Sequence, residues 1–401
     1  MKTSHFLHAS LFFFLSATAT TSPHQSPKRR TNTTTTHHPK IIFDTDFNTI
    51  GDDGQAFAMA AQLHAAGSLT LLGITIVTGN QWLNQGISDA LRAVERMGLS
   101  SSSSSSPSRQ VGVYAGAPQP ILHTYPAHSL ERATFGNATK YIGAYKYPSP
   151  QPLVAPPDGF AARSSSSTTP ANTPHQQQHA VDFIITSIRA NPGEVSILAL
   201  GPLTNIALAI TQDPGIIPLI KSVVIMGGQS YVAGNAYRGA AEMNWWFDAE
   251  AARVVLRGAS SSGFGPLEGQ HHHQQLRRKI VGLDVTDTVA ISNETYERIG
   301  SHEPATAVTR LFAGVERWPY VYDTVALATL YDDSLDLDVR ELYVDVECGF
   351  GAEYGKGLVW EEDPYPGLGV VGTSSVVFGI DNARFFELYV DLLTRPISGG
   401  S

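Results

Sequence analysis

"KIIFDTDFNTIGDDGQAFAMA", residues Lys40 to Ala60, decides the fold. Its first part is β-branched and aromatic and ends in carboxylates. Its second part is rich in alanine, with Ala56, Met59, Ala60 and Leu63 at helical spacing and Gly67 placed to stop the helix. The segment therefore reads as a buried strand feeding a helix. "LTLLGITIVTGN" follows as a second strand, "QWLNQGISDALRAVERMG" as a second helix and "QVGVYAGA" as a third strand. Further along, "EVSILALGPLTNIALAI" reads as strand, turn and helix, and "IKSVVIMGGQ" and "KIVGLDVTD" as strands. This alternation predicts an α/β fold: a single Rossmann-like open, mostly parallel sheet with helices on both faces.

The chain has 401 residues, 42% of them apolar, which is enough for a large core in one α/β domain. Its formal net charge is −9 and no basic face is visible, so nucleic acid is excluded as a partner. Cys348 is the single cysteine, so no intrachain disulfide can form. Lys2, the apolar stretch "FLHASLFFFLSA" and Ala17-Thr18-Ala19 predict a signal peptide over residues 1–19 and a secreted protein. That stretch is too short to span a bilayer, and no other segment is apolar enough, so no membrane partner is expected. Residues 20–39 read as a disordered polar tail and 40–396 as one domain. Low-complexity insertions near 99–108, 162–179 and 259–275 are expected in solvent, the run His271–His273 included. Asn32, Asn137 and Asn293 each open an N-x-[ST] triplet, a glycosylation acceptor in an exported protein.

Asp44, Asp46, Asp52 and Asp53 fall within ten positions where the first strand ends and the first helix begins. Ligands of a parallel α/β sheet sit at that edge. A helix N-terminus favours a carboxylate by less than about 1 kcal/mol at an exposed site, too little to hold four together. A divalent cation does so, and hard oxygen donors point to Ca²⁺ or Mg²⁺. No Cys/His pair lies nearby to suggest structural Zn²⁺. Two other readings stand beside this one. Asp52 could cap the helix while Asp44 and Asp46 are solvated. Or DTD could mark an aspartyl phosphatase, with Asp44 as nucleophile and Asp46 as acid; there Asn48 stands where Thr or Val is expected.

The series of blocks is more specific than any one of them. "DTDFNTIGDDGQAFAMA" resembles the N-terminal signature of the inosine-uridine-preferring nucleoside hydrolases. "GITIVTGN", "VGVYAGAPQPI", "LALGPLTNIALAI", "IMGGQSYVAGN…AEMNWWFDAEAA", "GLDVTDTV" and "YDTVALATL" are similar to that family's later blocks, in the same order. The resemblance implies Ca²⁺ bound by Asp46, Asp53, the Leu200 carbonyl and Asp323. It implies Asp52 and Asn244 on the ribose 2′- and 3′-hydroxyls, Asn235 and Glu242 on the 5′-hydroxyl, and Asn80 near the attacked carbon. Asn205, Asp248 and Asp284 are read as structural.

The implied activity is cleavage of the N-glycosidic bond of a nucleoside to ribose and free base. Asp46 would serve as general base toward a water beside the ion, with inversion and no covalent intermediate. Two departures from the family pattern bear on this. Tyr322 precedes Asp323 where the commonest pattern has His, which implies a stacking surface for a purine, alone or with Trp82, Trp245 or Trp246. Five residues, Phe47–Gly51, separate Asp46 from Asp52 where the common pattern has three, which implies an altered approach of Asp52 and Asp53 to the ion. Two alternatives are hydrolysis of another ribosyl compound, and a non-catalytic sugar- or nucleoside-binding protein of the same fold. Homo-oligomers occur among the relatives.

Overall fold

Ile41, Ile42 and Phe43 have no solvent exposure and form the centre of β1 (Lys40–Thr45). Alternate side chains feed two cores. Ile41 and Phe43 point into one and Ile42 into the other, the two-residue period of a strand covered on both faces. The computed structural model describes residues 38–397 apart from 49–50, 101–108, 137–141, 147–174, 259–275, 315–316, 318 and 367–368. The described residues belong to one compact unit that starts at His38. The expected signal segment, almost all of the polar tail, Asn32, Asn137 and His271–His273 lie outside them. No helix among the described residues is long and apolar enough to cross a membrane.

The remaining strands are β2 (Thr70–Ile76), β3 (Val113–Ala115), β4 (Val195–Ala199), β5 (Ser222–Met226), β6 (Arg278–Val281), β7 (Asp336–Val346), β8 (Gly357–Trp360) and β9 (Thr373–Ile380). They form one nine-stranded sheet ordered β3-β2-β1-β4-β5-β6-β9-β7-β8. All pairings are parallel except those that β7 makes with β8 and β9. From β1 the chain builds outward through β2 and β3, then returns to lay β4 on the other side of β1. The carboxyl ends of β1 and β4 therefore flank the topological switch point, where α/β sheets open a crevice for ligands.

The helices are α1 (Asp52–Ala65), α2 (Leu83–Arg96), α3 (Tyr125–Phe135), α4 (Ala180–Ala190), α5 (Thr204–Gln212), α6 (Met243–Phe247), α7 (Ala249–Arg257), α8 (Leu283–Thr286), α9 (Asn293–Gly300), α10 (Ala307–Gly314), α11 (Tyr322–Tyr331) and α12 (Asn382–Thr394). α1 is buried from Asp52 to His64 because it packs on the sheet and against α11 and α12. Its alanines let those helices approach closely, which explains why its sequence lacks a polar face.

Two expectations need correction. "GLDVTD" does not continue a strand: Leu283–Thr286 are helical, starting where the Leu283 amide donates to the Gly228 carbonyl at 3.0 Å. The insertion near 99–108 begins later, since Leu99 and Ser100 are buried, with the Leu99 amide closing the end of α2 on Val94 at 3.0 Å. The described end of the 162–179 insertion, His175 to His179, is exposed. Gln176 bridges to Tyr114, and His179 accepts the Val181 amide at 3.3 Å as the cap of α4.

Candidate active site

Every residue of the carboxylate cluster sits at the switch point. Asp44 and Thr45 end β1, Asp46 follows, and Asp52 and Asp53 open α1. β1 and β4 are in register at Asp44 and Ala199, and the Leu200 amide donates to the Asp44 carbonyl at 2.8 Å. Asn80, just past β2, ties the cluster together. Its backbone N–H donates to Asp46 Oδ2 at 2.5 Å, and its side-chain amide to Asp53 Oδ2 at 2.8 Å and Asp46 Oδ1 at 3.3 Å. Thr45 Oγ1 donates to Asp53 Oδ1. Asp323, in the first turn of α11, arrives across 271 positions of sequence, its backbone N–H donating to Asp52 Oδ2 at 3.3 Å. Carboxylate oxygens of Asp52, Asp53 and Asp323 lie within 4.8 Å of one another.

In the longer loop Asn48 contacts the start of α1: its side chain accepts the Gly51 amide at 2.8 Å and its carbonyl accepts the Gly54 amide at 3.1 Å. Phe47 is fully buried, its ring edge-on to Phe57 at 5.8 Å. Two glycines make the space around Asp46. A Cβ on Gly79 would sit 2.2 Å from Asp46 Oδ2, and one on Gly201 2.8 Å from the Asp46 backbone nitrogen.

Such crowding has an electrostatic signature. Burial, then the charge of Asp52, raises Asp53 to about 7; burial raises Asp52 to about 6. Asp46 is raised well above the usual carboxylate range by burial and then by Asp53. Asp323 is raised by burial and then by Asp52, Asp53 and Asp46. Without a cation these groups resist ionisation together. The donor set, oxygen throughout, fits a hard divalent cation. The reading of Asp44 and Asp46 as solvated loop residues fails, since both are buried. Asp44 is turned away from the trio: its Oδ2 accepts Thr75 Oγ1 at 2.5 Å and Asn205 Nδ2 at 2.9 Å, and burial raises it to about 6. Asn205 braces the turn as expected, also accepting the Ala117 amide at 2.8 Å, but it does not cap α5, whose cap position is Leu203.

The "MGG…GN…AEMN" block forms the opposite wall. Asn244 donates its amide to the carbonyls of Leu200 and Met226, each at 3.1 Å, which brings it onto the Leu200 oxygen implied as a metal ligand. Asn235, half-buried, accepts the Met243 amide at 2.8 Å. Glu242 is buried rather than a solvated helix residue. It caps α6, accepting the amides of Asn244 at 2.8 Å, Gly228 at 2.9 Å and Trp245 at 3.2 Å, and burial raises it to about 7. Asp248 caps α7 and holds Thr204 and the Ile121 amide; Asp284 accepts the amides of Ser230 and Tyr231.

The tryptophans do not form a base platform. Trp82, Trp245 and Trp246 are each at most 2% exposed and pack in the core. Tyr322 is half-buried, stacked on Tyr320 with centroids 5.1 Å apart, and its hydroxyl donates to Asp287 at 3.1 Å. Gln229 escaped the sequence reading. It accepts the Glu242 amide at 3.0 Å and donates to the Ala240 carbonyl at 2.6 Å, fixing Glu242 from behind; its place in "GGQ" was the available signal.

Comparison with known proteins points the same way. The family model described as "Inosine-uridine preferring nucleoside hydrolase" matches residues 41–387. A pyrimidine-specific ribonucleoside hydrolase, RihB, of Escherichia coli is 30% identical over 368 residues, covering 87% of this chain and 95% of the relative. Among solved structures, a plant nucleoside hydrolase aligns with a TM-score of 0.66 at 22% identity, covering 90% of this chain and all of that one. A purine-preferring ribonucleoside hydrolase from Gardnerella vaginalis aligns with a TM-score of 0.62 at 19% identity, covering 88% and 98%.

Proposed function

The chain belongs to the inosine-uridine preferring nucleoside hydrolase family and is therefore an N-ribohydrolase of small-molecule nucleosides, and on that premise we propose a calcium-dependent enzyme that accepts purine ribonucleosides. The observation that carries the site is the meeting of Asp323 with Asp52 and Asp53 from the far end of the chain. Asp46, Asp53, Asp323 and the Leu200 carbonyl would hold the ion. A cation held there would offset the mutual repulsion of the carboxylates and would supply a Lewis acid for water and sugar hydroxyls.

Cleaving the C1′–N bond builds positive charge on the ribose, and the buried carboxylates face that charge. The bonding electrons leave with the base, which takes up a proton from solvent. The attacking water forms the new C1′–O bond and yields its proton to Asp46. Oδ1 is the less tightly held oxygen, 3.3 Å from the Asn80 side-chain amide, whereas Oδ2 accepts the Asn80 backbone N–H at 2.5 Å. Asp52 and the amides of Asn244 and Asn235 suit recognition of ribose hydroxyls, with Glu242 holding α6 in place behind them.

The purine reading rests on the Tyr320–Tyr322 pair, which offers a flat aromatic face and no acid. The test is chromatographic detection of free base from inosine, adenosine, uridine and cytidine, with and without a chelator and calcium added back. Release from the purine nucleosides, lost on chelation and restored by calcium, is expected. Full activity without metal overturns the ion, and a strong uridine preference overturns the purine reading. We also propose export, on the basic-apolar-small pattern of residues 1–19. N-terminal sequencing of protein from the medium of expressing cells should find a start just past Ala19.

A further inference from the structure

A second group of ligating side chains lies outside the carboxylate cluster and shares no residue with it. It comes from "HTYPAHSLE": His123 in the loop before α3, and His128 and Glu131 on one face of α3. All three are buried, at 5%, 0% and 3% exposure. His123 Nε2 lies 3.0 Å from Glu131 Oε2, and His128 Nδ1 lies 3.6 Å from the same oxygen. One donor atom from each lies within 4.8 Å of the other two.

The tautomer of His123 limits what can sit among them. Its Nδ1 is 3.1 Å from the carbonyl oxygen of Trp246, which can only accept, so Nδ1 carries the hydrogen. Nε2 of the neutral ring is then a bare lone pair aimed at a carboxylate oxygen. Two buried acceptors at that separation need a positive centre between them, either a proton or a metal cation. The second imidazole, converging on the same oxygen, favours the cation. Two imidazoles and one carboxylate suit zinc, and an Nδ1–H bound to a backbone carbonyl is the outer contact that orients a ligating histidine. The rings are already fixed: His128 stacks on Tyr145 at 4.8 Å, and His123 stands edge-on to Trp246 at 4.9 Å.

We propose that His123, His128 and Glu131 form a second cation site, which takes a zinc-class divalent metal, pins His123 to α3 and so fixes the rings that touch the Trp246 carbonyl of α6 and Tyr145 of the turn Gly143–Lys146. That turn supports the catalytic side, because the Ala144 amide donates to the Gly79 carbonyl at 2.8 Å beside Asn80. The metal is a brace and takes no part in the chemistry.

The full chain is purified with His271–His273 replaced by glutamine, so that this run contributes no binding. It is stripped of metal, saturated with calcium and titrated with Co²⁺. One equivalent per chain should give the intense visible bands of a low-coordinate cobalt ion, which an all-carboxylate site does not give. Zn²⁺ should displace it and raise the unfolding temperature. Glu131→Gln and His128→Ala should abolish the bands while calcium-dependent activity remains measurable. A folded parent protein, with only His271–His273 replaced, that shows no stoichiometric cobalt spectrum overturns the proposal and leaves an imidazolium–carboxylate pair. So does a spectrum unchanged in folded Glu131→Gln protein. The titration of that parent decides even if a variant fails to fold.

Discussion

At the residue scale Asp323 is a buried carboxyl set against like charges. Burial and the charges of Asp52, Asp53 and Asp46 raise it far above the usual range, so it opposes folding unless protonated or neutralised by a cation. Asp323→Asn therefore separates stability from function. The metal-free variant should unfold at a temperature equal to or above that of the metal-free parent, seen by scanning calorimetry. The rise that calcium gives the parent should vanish, and turnover should drop roughly 10²–10³-fold. Loss of stability in the metal-free variant would show that Asp323 is held by local contacts instead. Tyr322→Phe should keep most activity, since the hydroxyl is spent on Asp287, whereas Tyr322→Ala should raise KM for inosine more than for uridine. Single-residue roles were legible where charge crowds against hydrophobic sequence, as at Asp44 to Asp53. The tryptophans were not legible, because a buried indole and a ligand-facing one look alike in one dimension.

At the element scale the site depends on how helix starts are capped. α11 has no side-chain cap of its own at Val321; the Asp52 carboxylate, reaching over from α1, accepts the Asp323 amide instead. α6 depends on Glu242, whose two oxygens accept three backbone amides. Glu242→Gln puts an NH₂ against at least one of those donors. It should cost roughly 1–3 kcal/mol in denaturant unfolding and raise KM through displaced Asn244. The loops at the strand ends are as demanding. Gly79→Ala places its Cβ 2.2 Å from Asp46 Oδ2, so turnover should fall by about 10²-fold or more while the secondary structure by circular dichroism is kept. Sequence could flag these glycines only through their blocks, "TGN" and "ALGP", since what they avoid is a side chain folded in from another strand. In the five-residue loop the Asn48 side chain accepts the Gly51 amide and its carbonyl accepts the Gly54 amide, contacts that loop length alone does not reveal.

At the scale of the whole molecule, the parallel part of the sheet was readable because both faces are covered, so its strands are unbroken apolar runs. The edge was not. Asp336, Asp338, Arg340 and Glu341 interrupt β7, and its antiparallel pairing with β8 and β9 depends on contacts far away in sequence. The switch point between β1 and β4 followed from strand order, and it gathers the buried acids that govern the stability of the whole chain. Asp52 and Asp53 titrate near 6 and 7 in the fold, against 3.8 as the ordinary value. A carboxylate raised on folding holds its proton more tightly in the native state. Its contribution is thus complete below about pH 4 and is lost as the pH climbs through the folded values. The contribution of these two groups to the metal-free protein should then fall between about pH 4 and 7, the reverse of the usual acid sensitivity. A calcium-induced rise in unfolding temperature should be small at pH 5 and grow through pH 8, because protons and the ion compete for the same oxygens. Scanning calorimetry at both pH values, with and without calcium, measures this directly. A calcium shift independent of pH would mean that the ion binds away from Asp52, Asp53 and Asp323.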